Sequence, residues 1–366
     1  MDIGIIGLPR TGKSTIFNCL TRGDAEASGH GSHGDRIDVG VAKVPDHRLD
    51  GLAGIFQPKR VVPAEVRYLD VPFTPRGLGK SEGFSAQLLS YLSQADALLH
   101  VVRRFDDPSV PHQEGSVDPE RDVSTMSMEL TYSDLAILER RRKRLEVSLK
   151  GARAQEREAL LREQALMDRI REGLEQEVGI REQPFDQEER RALSGYQFLT
   201  AKPLLLVLNI GEDELDRAVE LEKELEERHH RPGVRGAVVC GKLEEELSQL
   251  EEDEAETFRA ELGAGEPAIA RILRLSYQIL GLVSFFTTVS EEVRAWSVPQ
   301  DTEAVKAAGK IHSDMERGFI RAEVIKYDNL VECGSVAEVR KRGLLGLEGK
   351  GYKVQDGDVI TFLFNV

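Results

Sequence analysis

The stretch of sequence that decides the fold is Gly7-Leu8-Pro9-Arg10-Thr11-Gly12-Lys13-Ser14-Thr15. It satisfies the pattern GxxxxGK[ST], in which a glycine-rich loop holds phosphate groups. Residues 2–6 before it form a short apolar run, which predicts a buried parallel strand. After it, Ile16, Phe17 and Leu20 recur at helical spacing and predict a helix over residues 13–20. A strand, a glycine loop and a helix in this order predict a phosphate-binding βα unit.

The residue types of the loop suit phosphate chemistry. Gly7 and Gly12 permit backbone angles and close approaches that a Cβ atom would hinder. The loop and the following helix N-terminus then direct backbone N–H groups toward a phosphate. Lys13 is predicted to bridge β- and γ-phosphate oxygens, and the Ser14 hydroxyl to be a ligand of Mg²⁺. We therefore assign nucleotide binding to seven loop residues: Pro9, Arg10, Thr11, Gly12, Lys13, Ser14 and Thr15.

Further apolar runs alternate with helical patterns along the chain. They lie at residues 39–44, 64–69, 97–102, 204–208 and 236–240. This alternation predicts an α/β fold with a doubly wound sheet. Residues 45–63 are rich in turn formers, and residues 23–35, rich in Gly, His and Ser, predict a mobile loop.

The segment at residues 132–179 differs in composition, because it is long, highly charged and almost free of Pro and Gly. Two apolar stripes run through it: Leu135, Leu138, Leu145 and Leu149, then Leu166, Ile170, Leu174 and Val178. They predict an antiparallel α-helical hairpin inserted in the α/β domain. Its first helix carries the basic cluster of residues 140–144, Arg-Arg-Arg-Lys-Arg. This cluster is either a solvated coiled-coil face or a contact with a phosphate backbone such as ribosomal RNA.

From residue 281 onward, short strand-like runs alternate with glycine turns. The runs lie at residues 285–289, 318–325, 352–354 and 359–364, with a turn signal at Asp356-Gly357-Asp358. They predict a separate α+β module. The predicted domains are therefore the nucleotide-binding domain at residues 1–115 and 195–280, the hairpin at 116–194 and this module at 281–366.

Charge and composition narrow the classes of partner. The net charge of −15 means that an RNA partner needs a local basic patch, and we expect no DNA specificity. The apolar runs at residues 203–208 and 279–286 are too short to span a membrane, and Met1-Asp2 begins no signal peptide. Cys19, Cys240 and Cys333 form no CxxC motif and predict free thiols in a reducing compartment. These features predict a cytoplasmic protein without a membrane partner.

The chain resembles the Obg-like ATPase family of the YchF type, within the TRAFAC class of P-loop GTPases. Beyond the P-loop, the resemblance rests on residues 44–49, 100–105, 208–214, 293–296, 308–314, 318–322 and 356–359. It implies a Ras-like G domain with an inserted helical hairpin and a C-terminal β-grasp domain of the TGS type. It also implies ATP or GTP and Mg²⁺ as ligands, and the ribosome or its RNA as a partner through the hairpin and the TGS domain.

The base-binding element departs from that of most GTPases. Where they have NKxD, this chain has Asn209-Ile210-Gly211-Glu212. Ile210 replaces the Lys that covers the base, and the Glu212 carboxylate lies one methylene further out, so the guanine clamp is compromised. The family is similar in this form and in preferring ATP or accepting both bases. We predict that Asn209, Ile210 and Glu212 contact the nucleotide base. The other interpretation of Glu212 is an ordinary surface charge. Cys240 and Gly241 are also assigned to the predicted nucleotide site.

Both elements that sense the γ-phosphate also depart from the family pattern. The chain has Asp70-Val71-Pro72-Phe73 where the family has Asp-Ile-Ala-Gly. Asp70 completes a predicted Mg²⁺ ligand set with Ser14, but Phe73 hinders the backbone approach that Gly allows. In the first switch the aligned position falls near Gly34, with Ser32 close by. His30 and His33 in the same loop are either a metal site or, lacking further ligands, a plain flexible loop.

The resemblance implies His112 as the catalytic residue, because the family's proposed catalytic His lies in the loop after the matching strand. An exposed loop His is the other interpretation, and the position of the catalytic Gln of Ras falls near Thr74. We therefore expect a divergent, weak P-loop NTPase that binds nucleotide and Mg²⁺ and hydrolyses slowly at the ribosome. A nucleotide-binding scaffold without useful hydrolysis is the alternative, and a small-molecule kinase is a third class.

Overall fold

A computed structural model describes residues 1–21, 25–28, 37–72, 85–112, 114–262, 264–289 and 291–365. Within them the strands are β1 (Asp2–Ile6), β2 (Ala25–Ser28), β3 (Ile37–Lys43), β4 (Arg60–Val62), β5 (Glu65–Asp70), β6 (Ala97–Arg103), β7 (Leu204–Asn209), β8 (Val234–Val239), β9 (Leu282–Val289), β10 (Glu292–Pro299), β11 (Phe319–Lys326), β12 (Gly346–Glu348) and β13 (Asp358–Phe364). The helices are α1 (Lys13–Thr21), α2 (Arg48–Phe56), α3 (Ala86–Gln94), α4 (Pro119–Gly151), α5 (Ala154–Glu175), α6 (Gln187–Ser194), α7 (Ala218–Arg228), α8 (Gly241–Leu247), α9 (Glu252–Glu261), α10 (Ala268–Ile279), α11 (Ala304–Ile311), α12 (Ser313–Arg317), α13 (Tyr327–Cys333) and α14 (Val336–Lys341), with 3-10 turns at Ile180–Glu182 and Glu212–Arg217. No helix in this part of the chain combines the length and apolar character needed to cross a membrane.

A sheet with the strand order β2-β3-β5-β1-β6-β7-β8 confirms the predicted α/β fold. Strand β1 runs parallel to β5 and β6, and β6, β7 and β8 are parallel in turn. Every residue of β6 is buried, as expected for a parallel strand covered on both faces. The carboxyl ends of these strands therefore meet at one edge, where ligands bind in open α/β sheets.

One part of the predicted mobile loop at residues 23–35 is a strand. Residues Ala25–Ser28 form β2, which pairs antiparallel with β3 from Ala25 opposite Gly40 to Ser28 opposite Ile37. The sequence signal fails here because four residues between Gly-rich flanks are too short for a periodicity to be visible.

The hairpin of α4 and α5 lies within the predicted range of residues 116–194, and α4 begins at Pro119, ahead of the charged segment that the sequence marks from residue 132. The Asp118 side chain caps the N-terminus of the helix by accepting a hydrogen bond from Arg121 N. The first turn of α4 is charged, so no apolar periodicity marks this start in the sequence. The predicted stripes do meet in a buried cluster with the chain that follows: Leu138, Leu145, Leu166, Met167, Ile170, Leu174, Ile180, Leu193 and Phe198.

Contacts divide the chain into two compact units. The first holds residues 1–40 and 67–271, and the second holds residues 41–66 and 272–366. The second unit thus includes α2 and β4, in the stretch 45–63 that the sequence predicts to consist of turns. Gly51 and Gly54 weaken the helical signal there, although Leu49 and Leu52 are buried. The three domain boundaries predicted from the sequence remain a prediction.

The second unit contains the sheet β12-β11-β13-β9-β10-β4. Its central strands pack against α11 through a buried cluster that includes Phe285, Ala307, Phe319 and Ile360. The predicted strand at residues 352–354 is wrong, because only Lys353 forms an isolated bridge, with Glu303. Strand β4 joins the edge by parallel pairing with β10, from Arg60 opposite Glu292 to Val62 opposite Arg294.

Candidate nucleotide site

The phosphate loop lies between β1 and α1 at the carboxyl edge of the sheet. Gly12 has a φ of 81° and Arg10 a φ of 65°, so the loop uses the left-handed region twice. A Cβ atom at Gly7 would lie 2.6 Å from the Val101 carbonyl oxygen, which explains the glycine there. The buried Thr11 hydroxyl donates to the Leu8 carbonyl at 3.0 Å and fixes the turn.

Lys13, Ser14 and Asp70 meet at the mouth of this loop. The Lys13 ammonium donates to Asp70 Oδ1, and Ser14 Oγ donates to Asp70 Oδ2 at 2.6 Å. Strand pairing sets Asp70 opposite Ile5, two residues before the loop begins. A hydroxyl and a carboxylate are hard oxygen donors of the kind that Mg²⁺ takes alongside phosphate oxygens. The chemistry of these side chains fits a magnesium–phosphate group, and their roles as ligands remain a prediction.

Asn209 at the end of β7 joins two loops of the site. Its Nδ2 donates to the Thr11 carbonyl at 2.9 Å, and its Oδ1 accepts from Gly241 N at 2.9 Å. The side chain is buried, and a Cβ atom at Gly241 would crowd Oδ1 at 3.1 Å. Asn209 thus braces the phosphate loop against the turn between β8 and α8, in addition to the base contact predicted for it.

The other predicted base residues differ in exposure. Ile210 is buried, and its backbone N donates to the Val239 carbonyl at 2.8 Å. Glu212 is half-exposed and pairs with Lys242 Nζ at 2.7 Å, a hydrogen bond that raises the pKa of Lys242. Cys240 is buried directly before α8, and burial raises the pKa of its thiol, so the sulfur stays neutral.

Arg103 and Phe105 belong to the same site, and the sequence assigns them no role there. The fully buried Arg103 donates through Nε to the Phe105 carbonyl at 3.1 Å, and its guanidinium lies 4.4 Å from the centroid of the Phe105 ring. The Phe105 ring is 3.9 Å from the place of a Cβ atom on Gly12, and its own Cβ is 3.8 Å from that place on Gly211. The ring therefore lies between the phosphate loop and the predicted base element. An Arg ending a buried strand is the signal that could have identified the pair.

The predicted catalytic residue, His112, is held by the start of α4. Its Nε2 lies 2.8 Å from Asp122 Oδ2, and the two side chains are only 4% and 1% exposed. Its Nδ1 accepts from Glu114 N at 3.1 Å. Next to it, the Pro111 carbonyl accepts from Arg10 Nη1 of the phosphate loop at 2.9 Å. His112 therefore follows a residue that contacts the phosphate loop, but its own ring is engaged by Asp122 and Glu114, and its side chain is not exposed as the other interpretation expects.

Six of the positions named for the two switches and the loops around them lie outside the described residues. These positions are His30, Ser32, His33, Gly34, Phe73 and Thr74.

The basic cluster on α4 is partly neutralised by neighbouring carboxylates. Arg141 pairs with Glu163 at 2.7 Å, and Arg142 and Lys143 form ion pairs one turn away along the helix. The distal hairpin, residues 140–162, nevertheless carries nine Arg and Lys against three Glu, a net charge of +6. Both interpretations of the cluster stay open on these contacts.

Comparison with known proteins gives matches in both units. A family model described as "50S ribosome-binding GTPase" matches residues 2–138, and the model YchF-GTPase_C, described as "Protein of unknown function", matches residues 282–365. The solved structure of the Schizosaccharomyces pombe YchF GTPase superposes with a TM-score of 0.85 at 29% identity, covering 99% of this chain and 97% of that one.

Two curated relatives extend over the whole chain. The "Ribosome-binding ATPase YchF" of Bacillus subtilis (strain 168) is 38% identical over 368 residues, covering 100% of both proteins. The protein of that name from Pasteurella multocida (strain Pm70) is 39% identical and covers 99% of both. Identity of this degree along the whole of each relative shows that the chain belongs to the YchF family of P-loop GTPases.

Proposed function

We propose that the protein is a Mg²⁺-dependent purine nucleotide-binding protein that hydrolyses ATP slowly and acts at the ribosome. The observation that carries this proposal is the convergence of Lys13 and Ser14 on Asp70 at the mouth of the phosphate loop. Ser14 and Asp70 would hold the metal ion, which supplies charge neutralisation at the phosphates when bound.

The roles of the chain's own residues follow from their positions. Backbone N–H groups of the loop and of the start of α1 bind phosphate oxygens, and Lys13 exchanges its Asp70 contact for the β- and γ-phosphates. Asn209 holds the loop in place against the turn between β8 and α8, and Phe105 offers apolar surface to the base, whereas the side chain of Ile210 is buried in the core. We propose ATP rather than GTP as the preferred nucleotide. Ile210 replaces the Lys that covers the base in most GTPases, and the relatives are named as ATPases.

Two features support slow hydrolysis. Phe73 replaces the Gly of the family's second switch, where a close backbone approach to the γ-phosphate is required. His112, the residue that we propose orients the attacking water, has both ring nitrogens engaged by Asp122 and Glu114. Water attack on the γ-phosphorus, which yields ADP and phosphate, therefore needs a rearrangement of His112 first.

The ribosome is the proposed partner for two reasons. Both curated relatives are named ribosome-binding, and the distal hairpin concentrates a net charge of +6 in a chain whose total is −15. A local basic arm of this kind suits a phosphate backbone such as ribosomal RNA. We propose the C-terminal module as a second contact with the ribosome.

The test is a titration of fluorescent ATP and GTP against the wild type and Lys13→Ala, with phosphate release followed in the same samples. We expect ATP binding that falls at least about tenfold in Lys13→Ala, because a charge-assisted phosphate contact is lost. Measurable release that ribosomes accelerate would support the ATPase. Binding without release would favour the second candidate, a nucleotide-gated scaffold, and equal affinity of the two proteins would contradict the proposed site.

A further inference from the structure

Three residues at or just before the start of α4, Glu114, Arg121 and Asp122, fix which ring nitrogen of His112 carries the proton. Nδ1 of the ring faces two donors, Glu114 N at 3.1 Å and Arg121 Nη2 at 3.4 Å, so it is the acceptor. The ring proton is therefore on Nε2, which donates to Asp122 Oδ2 at 2.8 Å. Asp122 is itself held, since its Oδ1 accepts from Arg121 Nε at 3.1 Å and Nη2 at 2.9 Å.

This cluster leaves His112 no free nitrogen for a water molecule or a phosphate group. The imidazole of His112 and the carboxylate of Asp122 are both almost completely buried. A hydrogen bond to a buried carboxylate is among the stronger ones in proteins, and leaving it costs the full desolvation of the carboxylate. The contact therefore opposes any movement of His112 toward the nucleotide.

The same short segment is also tied to the phosphate loop. Arg10, whose backbone adopts a φ of 65° within the loop, donates through Nη1 to the carbonyl of Pro111, the residue before His112. A bound triphosphate would attract the Arg10 guanidinium more strongly than a neutral carbonyl does. The segment is thus placed where phosphate binding can weaken one of its two attachments.

We propose that Asp122 is a positioning residue that holds His112 away from the nucleotide, so that turnover requires the His112–Asp122 hydrogen bond to open. The inference rests on the proposed role of His112 in orienting water, and it adds the residue that regulates this role. In nucleotide-free protein the ring is held as the Nε2-protonated tautomer, and Mg²⁺ with ATP releases it.

The decisive variant is Asp122→Asn, which keeps the shape of the side chain. If its oxygen faces Arg121, its NH₂ group meets the protonated Nε2 of His112; if the amide is reversed, the NH₂ group meets the donors of Arg121. Either orientation sets two donors against each other and weakens the hold on His112. Glu120→Gln is the matched control, because it removes a carboxylate from the same turn whose partners are Arg228 and His229.

The measurements are steady-state hydrolysis of ATP with Mg²⁺, the Kd of a non-hydrolysable ATP analogue, and the imidazole ¹⁵N resonances of His112. For Asp122→Asn we expect kcat to rise about tenfold, with Kd and KM unchanged, because the hydrogen bond to a charged group no longer opposes opening. The Nε2-protonated signature should weaken in this variant, and in the wild type when the analogue and Mg²⁺ are added. Glu120→Gln should show wild-type kcat and resonances.

Two failures are distinguishable. If His112→Ala hydrolyses ATP as fast as the wild type, the proposed role of His112 fails, and this inference fails with it. If His112→Ala is inactive but Asp122→Asn has an unchanged or lower kcat, the inference alone is overturned. Should Asp122→Asn not fold, the wild-type resonances still decide, because a His112 signal that does not respond to the analogue and Mg²⁺ contradicts release.

Discussion

At the scale of single residues, Asn209 connects parts of the site that are far apart in sequence. Both ends of its amide are used, one toward Thr11 of the phosphate loop and the other toward Gly241. These two hydrogen bonds order the loop before phosphate binds, so the loop loses less conformational entropy on binding. We therefore expect Asn209 to contribute to phosphate affinity through this bracing as well as through the predicted contact with the base.

We predict that Asn209→Ala weakens the binding of ATP and of inorganic tripolyphosphate by the same factor, about tenfold or more, because two buried hydrogen bonds are lost. Calorimetric titration of both ligands with Mg²⁺ measures this. Asn18→Ala, on the exposed side of α1, should bind both as the wild type does. A loss confined to ATP would instead identify Asn209 as a base contact without a bracing role.

Some residues of the site can be predicted from the sequence, and others cannot. Lys13, Ser14 and Asp70 follow from a local motif and from a strand end, because their partners are fixed by the parallel pairing of β1 and β5. The hold of Asp122 on His112 does not follow, since it depends on where α4 begins. The position of Arg103 at the end of a buried strand marks it as a candidate, but the sequence alone does not show that its cation packs on Phe105 rather than on a carboxylate.

At the scale of elements, one buried carboxylate attaches α4 to the segment that precedes β7. Asp134 is fully buried and accepts from Leu199 N and Thr200 N, each at 2.8 Å, and from Thr200 Oγ1 at 2.7 Å. Burial raises the pKa of Asp134, while the three donors oppose that rise. The hairpin is thereby attached to the chain that leads into β7.

We predict that Asp134→Asn lowers the free energy of unfolding by about 2–3 kcal/mol, because an amide cannot accept from all three donors and sets its own N–H groups against one of them. Urea unfolding followed by helical circular dichroism measures the change. Glu139→Gln, one turn further along α4 with its exposed side chain paired to Lys143, is the control and should change stability little. Equal stability of Asp134→Asn and the wild type would contradict the attachment.

Helices and strands were predictable in proportion to their length and regularity. The apolar stripes place the second halves of α4 and α5, since several leucines recur on one face. Short elements beside glycines, such as β2 and α2, leave too few residues for a pattern to emerge. Contacts with neighbouring elements, rather than their own sequences, determine that these short elements form.

At the scale of the whole molecule, charge is distributed very unevenly. Residues 140–162, the distal hairpin, carry +6 in a chain of net charge −15, so we expect the distal hairpin to attract a nucleic acid that the remaining residues repel. Arg144, Lys150 and Arg153 are exposed there, and within the described ranges none of them forms an ion pair. These three cations are free to replace counterions on a phosphate backbone.

We predict that changing Arg144, Lys150 and Arg153 together to Gln weakens ribosome binding and reduces the dependence of log K on log salt by roughly two to three, because each lost phosphate contact removes about one released counterion. Binding to purified ribosomes and to their isolated RNA across a salt series measures both effects. The same change at Arg190, Arg217 and Lys223, which are exposed elsewhere in the first unit, is the control for total charge. Equal slopes for the two triple variants would contradict a role of the distal hairpin.

The pairing of β4 with β10 has a consequence for how the chain is made. Residues 41–66 leave the ribosome early, but the strands of their own unit emerge only after residues 67–271 have been synthesised. Contacts between such distant parts of a chain form late, since a long loop must close first. During synthesis α2 and β4 therefore precede the strand with which β4 pairs, and the second unit is completed only after residues 272–366 have been made.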